Sequence, residues 1–126
     1  DKLTTNDFGV FVAPLSFEAP VVYVKRISLV AYDNLPYGGD AFLNDIAQTV
    51  PLGEICAYLK RATPMSDSNE YMSGVCSYGT GTLVREFTQR AFDVRRITGA
   101  YGPYLMLWGG GGAGLSFNAV RITYTY

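Results

Sequence analysis

The chain of 126 residues contains no histidine, and this absence removes several kinds of catalytic machinery. Without imidazole there is no Ser-His or Cys-His nucleophile system and no histidine ligand for a metal. A pair of carboxylates could still hydrolyse a glycoside. The 11 acidic residues are scattered along the chain, however, and are better explained as solvated side chains or turn caps. The sequence therefore predicts a protein that is not an enzyme.

Charge is scarce as well, and the basic residues form no concentrated surface. Charged residues make up 17% of the chain, compared with about 25% in an average domain, and the net charge is −1. The closest basic clusters are the adjacent pairs 25–26, 60–61 and 95–96. Neighbouring side chains of a strand point to opposite faces, so each pair is divided between two surfaces. Nucleic-acid binding needs a concentrated basic surface, and no nucleic-acid partner is expected.

A long apolar run is also missing. The longest uncharged stretch, 97–120, contains Pro103 and seven glycines. A transmembrane helix needs about 20 mostly apolar residues, so no membrane insertion is expected. The same stretch is predicted to hold two strands, and some of its uncharged side chains must then face outward. Exposed apolar surface of this kind usually marks an interface, so we expect a homo-oligomer.

Cysteine is limited to Cys56 and Cys76, so only one pairing is available. The 19 residues that separate them do not match the spacing of zinc ligands. A disulfide would close a loop and stabilise the fold by about 3 kcal/mol on the chain-entropy model. Two buried free thiols on neighbouring strands are an equally good interpretation. The sequence leaves both interpretations open, and with them the redox compartment.

What the sequence does contain is a succession of short apolar runs separated by turn residues, which is typical of an all-β domain. The length corresponds to one domain over residues 1–126. Eight strands are predicted, over 8–13, 21–32, 55–60, 71–78, 82–88, 91–98, 104–108 and 115–126. In the last of them the apolar face changes side near Asn118, which indicates a β-bulge or a strand crossing between sheets. We expect a two-sheet β-sandwich, jelly-roll-like in its spacing of strands.

One short helix is predicted over 41–50. Asp40 could cap its first turn, and Pro51 would end it. The apolar residues with helical spacing are Phe42, Leu43, Ile46 and Ala47.

Aromatic residues in or beside loops are the best candidates for a ligand surface. Tyr37 and Tyr101 lie among glycine and proline, where exposure is expected and function concentrates. Trp108 is a further candidate, although a core position at the end of a strand explains it better. Aromatic rings supply apolar area for stacking on a sugar, and Tyr and Trp add a polar tip. Asp33 and Asp40 flank the Tyr37 loop and complete the candidate ligand-binding set.

Metal and phosphate sites are weaker alternatives. Asp33, Asn34, Asp40 and Asp45 could offer oxygen ligands to Ca²⁺, but their spacing is not that of an EF-hand, and turn formation explains them better. The glycine-rich segment 109–114 lacks the Lys-Ser or Lys-Thr that follows a phosphate-binding loop. It is better explained as a connection between strands. Neither a metal nor another cofactor is predicted.

The C-terminal third resembles a known family of folds. Residues 104–108 read Tyr-Leu-Met-Leu-Trp, a glycine-rich connection follows, and 117–124 read Phe-Asn-Ala-Val-Arg-Ile-Thr-Tyr. This pattern resembles the closing strands of jelly-roll modules. These modules include carbohydrate-binding modules and the β-sandwich heads and decoration domains of bacteriophage virions. The resemblance transfers no catalytic residue, and for phage fibre heads it implies a trimer.

Two functions of different classes follow from these observations. The first is a virion structural or receptor-binding domain of a tail or head fibre, with a host surface glycan or a neighbouring virion protein as partner. Low charge and abundant Tyr and Gly favour it. The alternative is a carbohydrate-binding module of a secreted, glycoside-active enzyme, which would explain exposed aromatics but would be expected to contain more than one Trp. The protein is thus expected in a virion or outside the cell.

Overall fold

The computed structural model describes residues 3–5, 9–17, 19–44, 48–62, 69–89, 95–98, 102–109 and 114–126. These residues form eleven β-strands and no helix. The strands are β1 (Leu3–Thr5), β2 (Gly9–Pro14), β3 (Val21–Asp33), β4 (Asp40–Leu43), β5 (Gln48–Pro51), β6 (Ile55–Ala62), β7 (Asn69–Cys76), β8 (Arg85–Thr88), β9 (Arg95–Thr98), β10 (Pro103–Gly109) and β11 (Leu115–Thr125). The prediction of an all-β fold is confirmed, and each of the eight predicted strands overlaps an observed one.

Two antiparallel sheets build the body of the fold. The first sheet is organised around the long strand β3, which pairs with β11 on one side and with both β8 and β9 on the other. Strand β1 extends it beyond β11. The second sheet has the strand order β2-β10-β6-β7. Every pairing in the two sheets is antiparallel.

The two sheets pack face to face through one apolar core. From the first sheet come Ile27 and Leu29 of β3 and Phe87 of β8, and from the second come Leu59 of β6 and Leu107 of β10. Alternate residues of each strand point into this layer, as a half-buried strand requires. The arrangement is that of a β-sandwich.

Two register shifts explain why the longest strands do not alternate cleanly. The pairing of β11 with β3 shifts between Phe117 and Ala119, so Asn118 is the extra residue, and the predicted switch at this position is confirmed. A second shift leaves Lys25 of β3 without an opposite residue, and both Lys25 and Arg26 are exposed. An extra residue rotates the following side chains to the other face, so apolar residues reach the core on both sides of each bulge.

The predicted helix over 41–50 is wrong, because the structure places β4 and β5 there as an antiparallel hairpin. A helix would have buried Phe42 with Leu43, whereas in the hairpin Phe42 is 62% exposed and Leu43 packs inward. The apolar residues do have helical spacing. However, the outer face of the second sheet is apolar, and alternate residues of a strand can pack against it. Tertiary packing overrides a short helical pattern in this way.

The hairpin covers that outer face and forms a second, smaller core. Val50 of β5 packs there with Cys56, Tyr58, Met106 and Trp108. The indole Nε1 of Trp108 donates a hydrogen bond of 3.2 Å to the backbone carbonyl oxygen of Pro51. The only tryptophan is therefore a packing residue. No helix that could span a membrane occurs in the described part of the chain.

Truncation of Val50 tests the hairpin. We expect Val50→Ala to lower the free energy of unfolding by about 2 kcal/mol, because it removes buried methyl groups and leaves a cavity. Phe42→Ala is the matched control and should change it by less than about 0.5 kcal/mol, since Phe42 is exposed. Urea unfolding measures both. A larger loss of stability for Phe42→Ala than for Val50→Ala would contradict the hairpin and favour a helix over 41–50.

Candidate functional site

Three connections meet at one end of the sandwich and form the candidate site. They are the loop 34–39 between β3 and β4, the turn 52–54 between β5 and β6, and the segment 77–84 between β7 and β8. The amide of Gly38 donates to the carbonyl oxygen of Leu52, and the amide of Leu52 donates to that of Gly39, both at 2.8 Å. The amide of Gly81 donates to the carbonyl oxygen of Asp33 at 2.9 Å. Backbone pairing thus fixes the loop 34–39 against both of its neighbours.

Asp33, the last residue of β3, links these connections from inside the protein. Its Oδ1 accepts the amide of Leu35 at 3.0 Å, and its Oδ2 accepts the hydroxyl of Ser77 at 2.5 Å. The Ser77 hydroxyl oxygen in turn accepts the amide of Ile55 at 3.0 Å. Buried polar groups must be paired in this way, because an unpaired one loses its hydration without compensation. One buried carboxylate therefore joins the first sheet to the second.

Arg85 holds the segment 77–84 from the other side. Its Nη2 donates to the carbonyl oxygen of Gly79 at 2.7 Å and to that of Asp33 at 3.4 Å, and its Nη1 donates to the carbonyl oxygen of Tyr78 at 3.3 Å. The guanidinium carbon also lies 4.9 Å from the ring centroid of Phe87. A planar guanidinium can satisfy several carbonyls at once while stacking on an aromatic ring. The segment that carries Tyr78 is consequently well anchored.

Gly53 permits the close approach of the loop 34–39 to the turn 52–54. Its φ is +80°, and a Cβ at this position would lie 2.1 Å from the carbonyl oxygen of Pro36. Glycine alone meets both requirements, because the left-handed conformation disfavours a side chain and the space is already filled. The residue that follows, Glu54, is placed beside the loop as a result.

Glu54 is a half-buried carboxyl group with altered acidity. Burial raises its pKa from the ordinary 4.5 to about 7, and the negative charges of Asp33 and Asp40 add to the effect. A carboxyl group in this state is a hydrogen-bond donor below neutral pH and a carboxylate above it. Such groups concentrate at functional sites, although structural clusters also produce them.

Tyr37 stands on the outside of the same cluster. It is 58% exposed, and its hydroxyl donates a hydrogen bond of 2.7 Å to Oδ1 of Asp40. This hydrogen bond, together with burial and the charges of Asp40 and Glu54, raises the pKa of the Tyr37 hydroxyl. The hydroxyl therefore stays protonated and keeps the ring oriented, with much of its area open to solvent.

Glu54 also lines a cleft of about 340 Å³. Its lining includes Tyr58, Gly74, Ser77 and Tyr78. Tyr58 faces Gly74 across the strand pair, and a Cβ on Gly74 would lie 2.5 Å from the Tyr58 ring, so the glycine lets the ring lie flat against β7. Tyr78 is 52% exposed at the rim, and its ring meets that of Phe87 edge-on, with 5.0 Å between centroids.

The two cysteines lie beside this cleft and are joined in a disulfide. Cys56 of β6 and Cys76 of β7 are directly opposite each other in the antiparallel pair. The Glu54 carboxylate and the two sulfurs lie within 4.8 Å of one another, a grouping that could hold a metal ion. Metal binding to cysteine requires thiolates, and sulfurs bonded to each other offer none.

The structure brings together some of the predicted site residues and separates others. Tyr37 and Asp40 share one hydrogen bond at the surface, as a joint ligand surface requires. Asp33 and Trp108 are buried, and both carboxylate oxygens of Asp33 are engaged within the protein, so neither side chain presents a surface to a ligand or Ca²⁺. Tyr101 and Asp45 lie outside the described residues.

Glu54 and Tyr78 were not predicted from the sequence. Tyr78 directly precedes Gly79, so the rule that singled out Tyr37, an aromatic residue beside a glycine turn, would also have found it. Glu54 follows a Pro-Leu-Gly turn, but its raised pKa arises from burial and from the charges of Asp33 and Asp40, which only the fold brings about. Comparisons with protein-family models, with curated proteins and with solved structures give no match for this chain. The site is therefore interpreted from its own geometry.

Removal of the Ser77 hydroxyl tests the buried link. We expect Ser77→Ala to lower the free energy of unfolding by about 2 kcal/mol, since it leaves the Ile55 amide and one Asp33 oxygen without partners. Ser16→Ala, at an exposed position, is the control and should have almost no effect. Chemical denaturation gives both values, and equal stability of the two variants would contradict the role of Ser77.

The acidity of Glu54 predicts a dependence of stability on pH. The folded chain keeps the Glu54 proton up to about pH 7, whereas the unfolded chain loses it near the ordinary pKa of 4.5. This contribution to stability is therefore complete below pH 4.5 and is lost as the pH rises through 7. Relative to the wild type, Glu54→Gln should gain about 1 kcal/mol at pH 8, a value reduced for solvent screening of a half-exposed group, and almost nothing at pH 4.

Thermal or urea unfolding at the two pH values measures this gain. Glu86→Gln, which changes an exposed carboxyl group on β8, is the control. A gain for Glu54→Gln that is the same at pH 4 and pH 8 would contradict the assignment.

Proposed function

We propose that this chain is a non-catalytic binding domain of a virion appendage, such as a phage-like fibre, and that it recognises a host surface glycan. The observation that carries the proposal is the juxtaposition of exposed Tyr37, Glu54 and the cleft rimmed by Tyr78. A binding site for a small ligand is typically concave, mostly apolar and supplied with a few fixed polar groups. The proposal takes the sandwich to be of the jelly-roll type, which the resemblance implies.

Sugars suit this surface for physical reasons. The C–H faces of a sugar ring stack on aromatic rings, and the two exposed tyrosines near Glu54, Tyr37 and Tyr78, offer two such faces. Carboxyl groups bind sugar hydroxyls strongly, because a charged acceptor makes the stronger hydrogen bond. Asp33 and Arg85 hold the loops in place before a ligand binds, so the loops lose little conformational entropy on binding. A rigid platform of this kind also suits a neighbouring virion protein, the other partner considered for this class.

Hydrolysis is less well supported than binding, although a raised carboxyl pKa is what a general acid needs. A glycosidase requires a second carboxylate that reaches the same glycosidic bond. Of the two acidic neighbours of Glu54, Asp33 uses both oxygens within the protein, and Asp40 accepts the Tyr37 hydroxyl. We therefore propose a glycan receptor that leaves its ligand intact.

The alternative, a carbohydrate-binding module of a secreted enzyme, would use the same surface. Burial of Trp108 counts against it, because the single indole is not free to serve as a stacking platform. The proposed protein is also a homo-oligomer located in a virion, where low surface charge suits packing between chains. The proposal of a trimer rests only on the resemblance to phage fibre heads.

A glycan array, followed by calorimetry on the best ligand, tests the site. We expect Tyr37→Ala and Tyr78→Ala each to weaken binding about tenfold, which corresponds to the loss of roughly 1.4 kcal/mol from one stacking contact. Tyr23→Ala is the matched control, because Tyr23 is an exposed tyrosine toward the opposite end of β3 from Asp33. The affinity of the Tyr23→Ala variant for the glycan should equal that of the wild type.

The choice of ligand separates the alternatives. Selective binding of bacterial surface polysaccharides supports the virion domain, whereas selective binding of storage or cell-wall polysaccharides supports the secreted module. Absence of binding to every glycan, with and without Ca²⁺, would overturn the glycan proposal. Release of reducing ends from the bound glycan, lost in Glu54→Gln, would overturn the statement that the domain is not an enzyme.

A further inference from the structure

Strand β2 is an edge of the second sheet in the described part of the chain. β10 pairs with one side of it, and no other described strand pairs with the opposite side. Its large apolar residues Val10, Phe11 and Val12 are all exposed, Val12 by 61%. The stretch 8–17 contains no charged residue. Natural sheets usually guard such an edge with lysines, bulges or a covering element, because it invites pairing with another strand.

The register of β2 shows which backbone groups are free. Pro14 lies opposite Tyr104, and the amide of the next residue, Leu15, donates to the carbonyl oxygen of Pro103 at 3.0 Å. Residues that bond to the neighbouring strand alternate along an antiparallel pair. Counting back from Leu15, Phe11 directs its amide and carbonyl toward β10, and Val10 and Val12 direct theirs outward. Pro14 falls at an outward position, so its missing N–H weakens no bond to β10.

These outward groups complement a second copy of themselves. When two β2 strands run antiparallel about a two-fold axis at Phe11, Val10 of each chain faces Val12 of the other. Each of these two facing pairs exchanges two N–H···O bonds, which makes four in all. The Phe11 side chains then meet as the closely spaced, non-bonded pair at the axis, where aromatic pairs add stability. The side-chain sequence Val-Phe-Val reads the same from both directions, so the side chains match as well as the backbone.

We propose that the chain forms a two-fold dimer by antiparallel pairing of β2 with β2 of a second copy. The contact joins two four-stranded sheets into one of eight strands. A second copy is favoured over another protein because the edge carries no charge to select a charged partner and is self-complementary. This inference does not rest on glycan binding, since the candidate site is built from other strands. It differs from the trimer implied by the resemblance, because a contact of this symmetry closes with two chains.

The size of the contact sets its strength. A typical stable interface buries about 800 Å² on each partner, and one short strand pair buries less. We therefore expect a dissociation constant on the order of tens to hundreds of micromolar for the dimer of the isolated domain. A larger fraction of the chains would be paired where copies are held at high local concentration.

Hydrogen exchange measured by NMR tests the backbone pattern directly. On raising the concentration of the wild-type chain from about 10 μM to 1 mM, the amides of Val10 and Val12 should exchange about three to seven times more slowly, because the monomer fraction falls by that factor. The amide of Phe11 should be protected at both concentrations, because it bonds to β10. Unchanged exchange at Val10 and Val12 would overturn the proposal.

Sedimentation equilibrium on edge variants tests the stoichiometry. The wild type should approach twice the mass of one chain at 1 mM, and Val12→Lys or Val10→Lys should stay monomeric, because lysine on an edge opposes pairing. Leu83→Lys is the control, since Leu83 is 74% exposed but lies on the segment 77–84, and it should dimerise like the wild type. A trimer mass, or a dimer insensitive to both β2 variants, would overturn the two-fold contact. Glycan affinity measured on the monomeric variants keeps this result separate from the function proposed for the other surface.

Discussion

The hydrogen bond between the Asp33 carboxylate and the Ser77 hydroxyl is the interaction on which the candidate site depends. Asp33 ends β3 in the first sheet, while Ser77 follows β7 and bonds to the first residue of β6 in the second sheet. The carbonyl of the same aspartate accepts bonds from Gly81 and Arg85. Three loops thus take their positions from one buried residue. Because its polar atoms are satisfied within the protein, they fix geometry and leave recognition to the residues outside them.

The hairpin of β4 and β5 divides the apolar residues of the chain between two layers. One layer lies between the sheets, and the other lies beneath the hairpin and includes Trp108. Burial of the indole leaves tyrosines as the aromatic residues at the site surface, and their hydroxyl groups can be oriented by carboxylates, as Asp40 orients Tyr37. The turn at Gly53, which follows the hairpin, also places Glu54 where burial raises its pKa and the charges of Asp33 and Asp40 add to the effect.

Local sequence patterns predicted the features that depend on a few neighbouring residues. Eight of the eleven strands, the switch at Asn118 and the exposure of Tyr37 follow from alternation and turn chemistry, and the structure agrees. The prediction of a helix over 41–50 was wrong because the apolar residues of this segment pack, as strands, against the face of a sheet formed by distant parts of the chain. The roles of Asp33 and Glu54 were beyond reach for a similar reason, since Ser77 lies 44 residues from Asp33 and pairs with it only in the fold. Contacts of that range carry no periodic signal.

The disulfide between Cys56 and Cys76 has a topological consequence. It joins β6 and β7 beside the cleft, so the chain from residue 56 to residue 76 forms a closed covalent ring. Proteolytic cleavage at any single peptide bond within that ring leaves the two products attached to each other. The strands on which Tyr58 and Gly74 lie remain one molecule after such a cut, and the wall of the cleft survives damage that would divide a reduced chain.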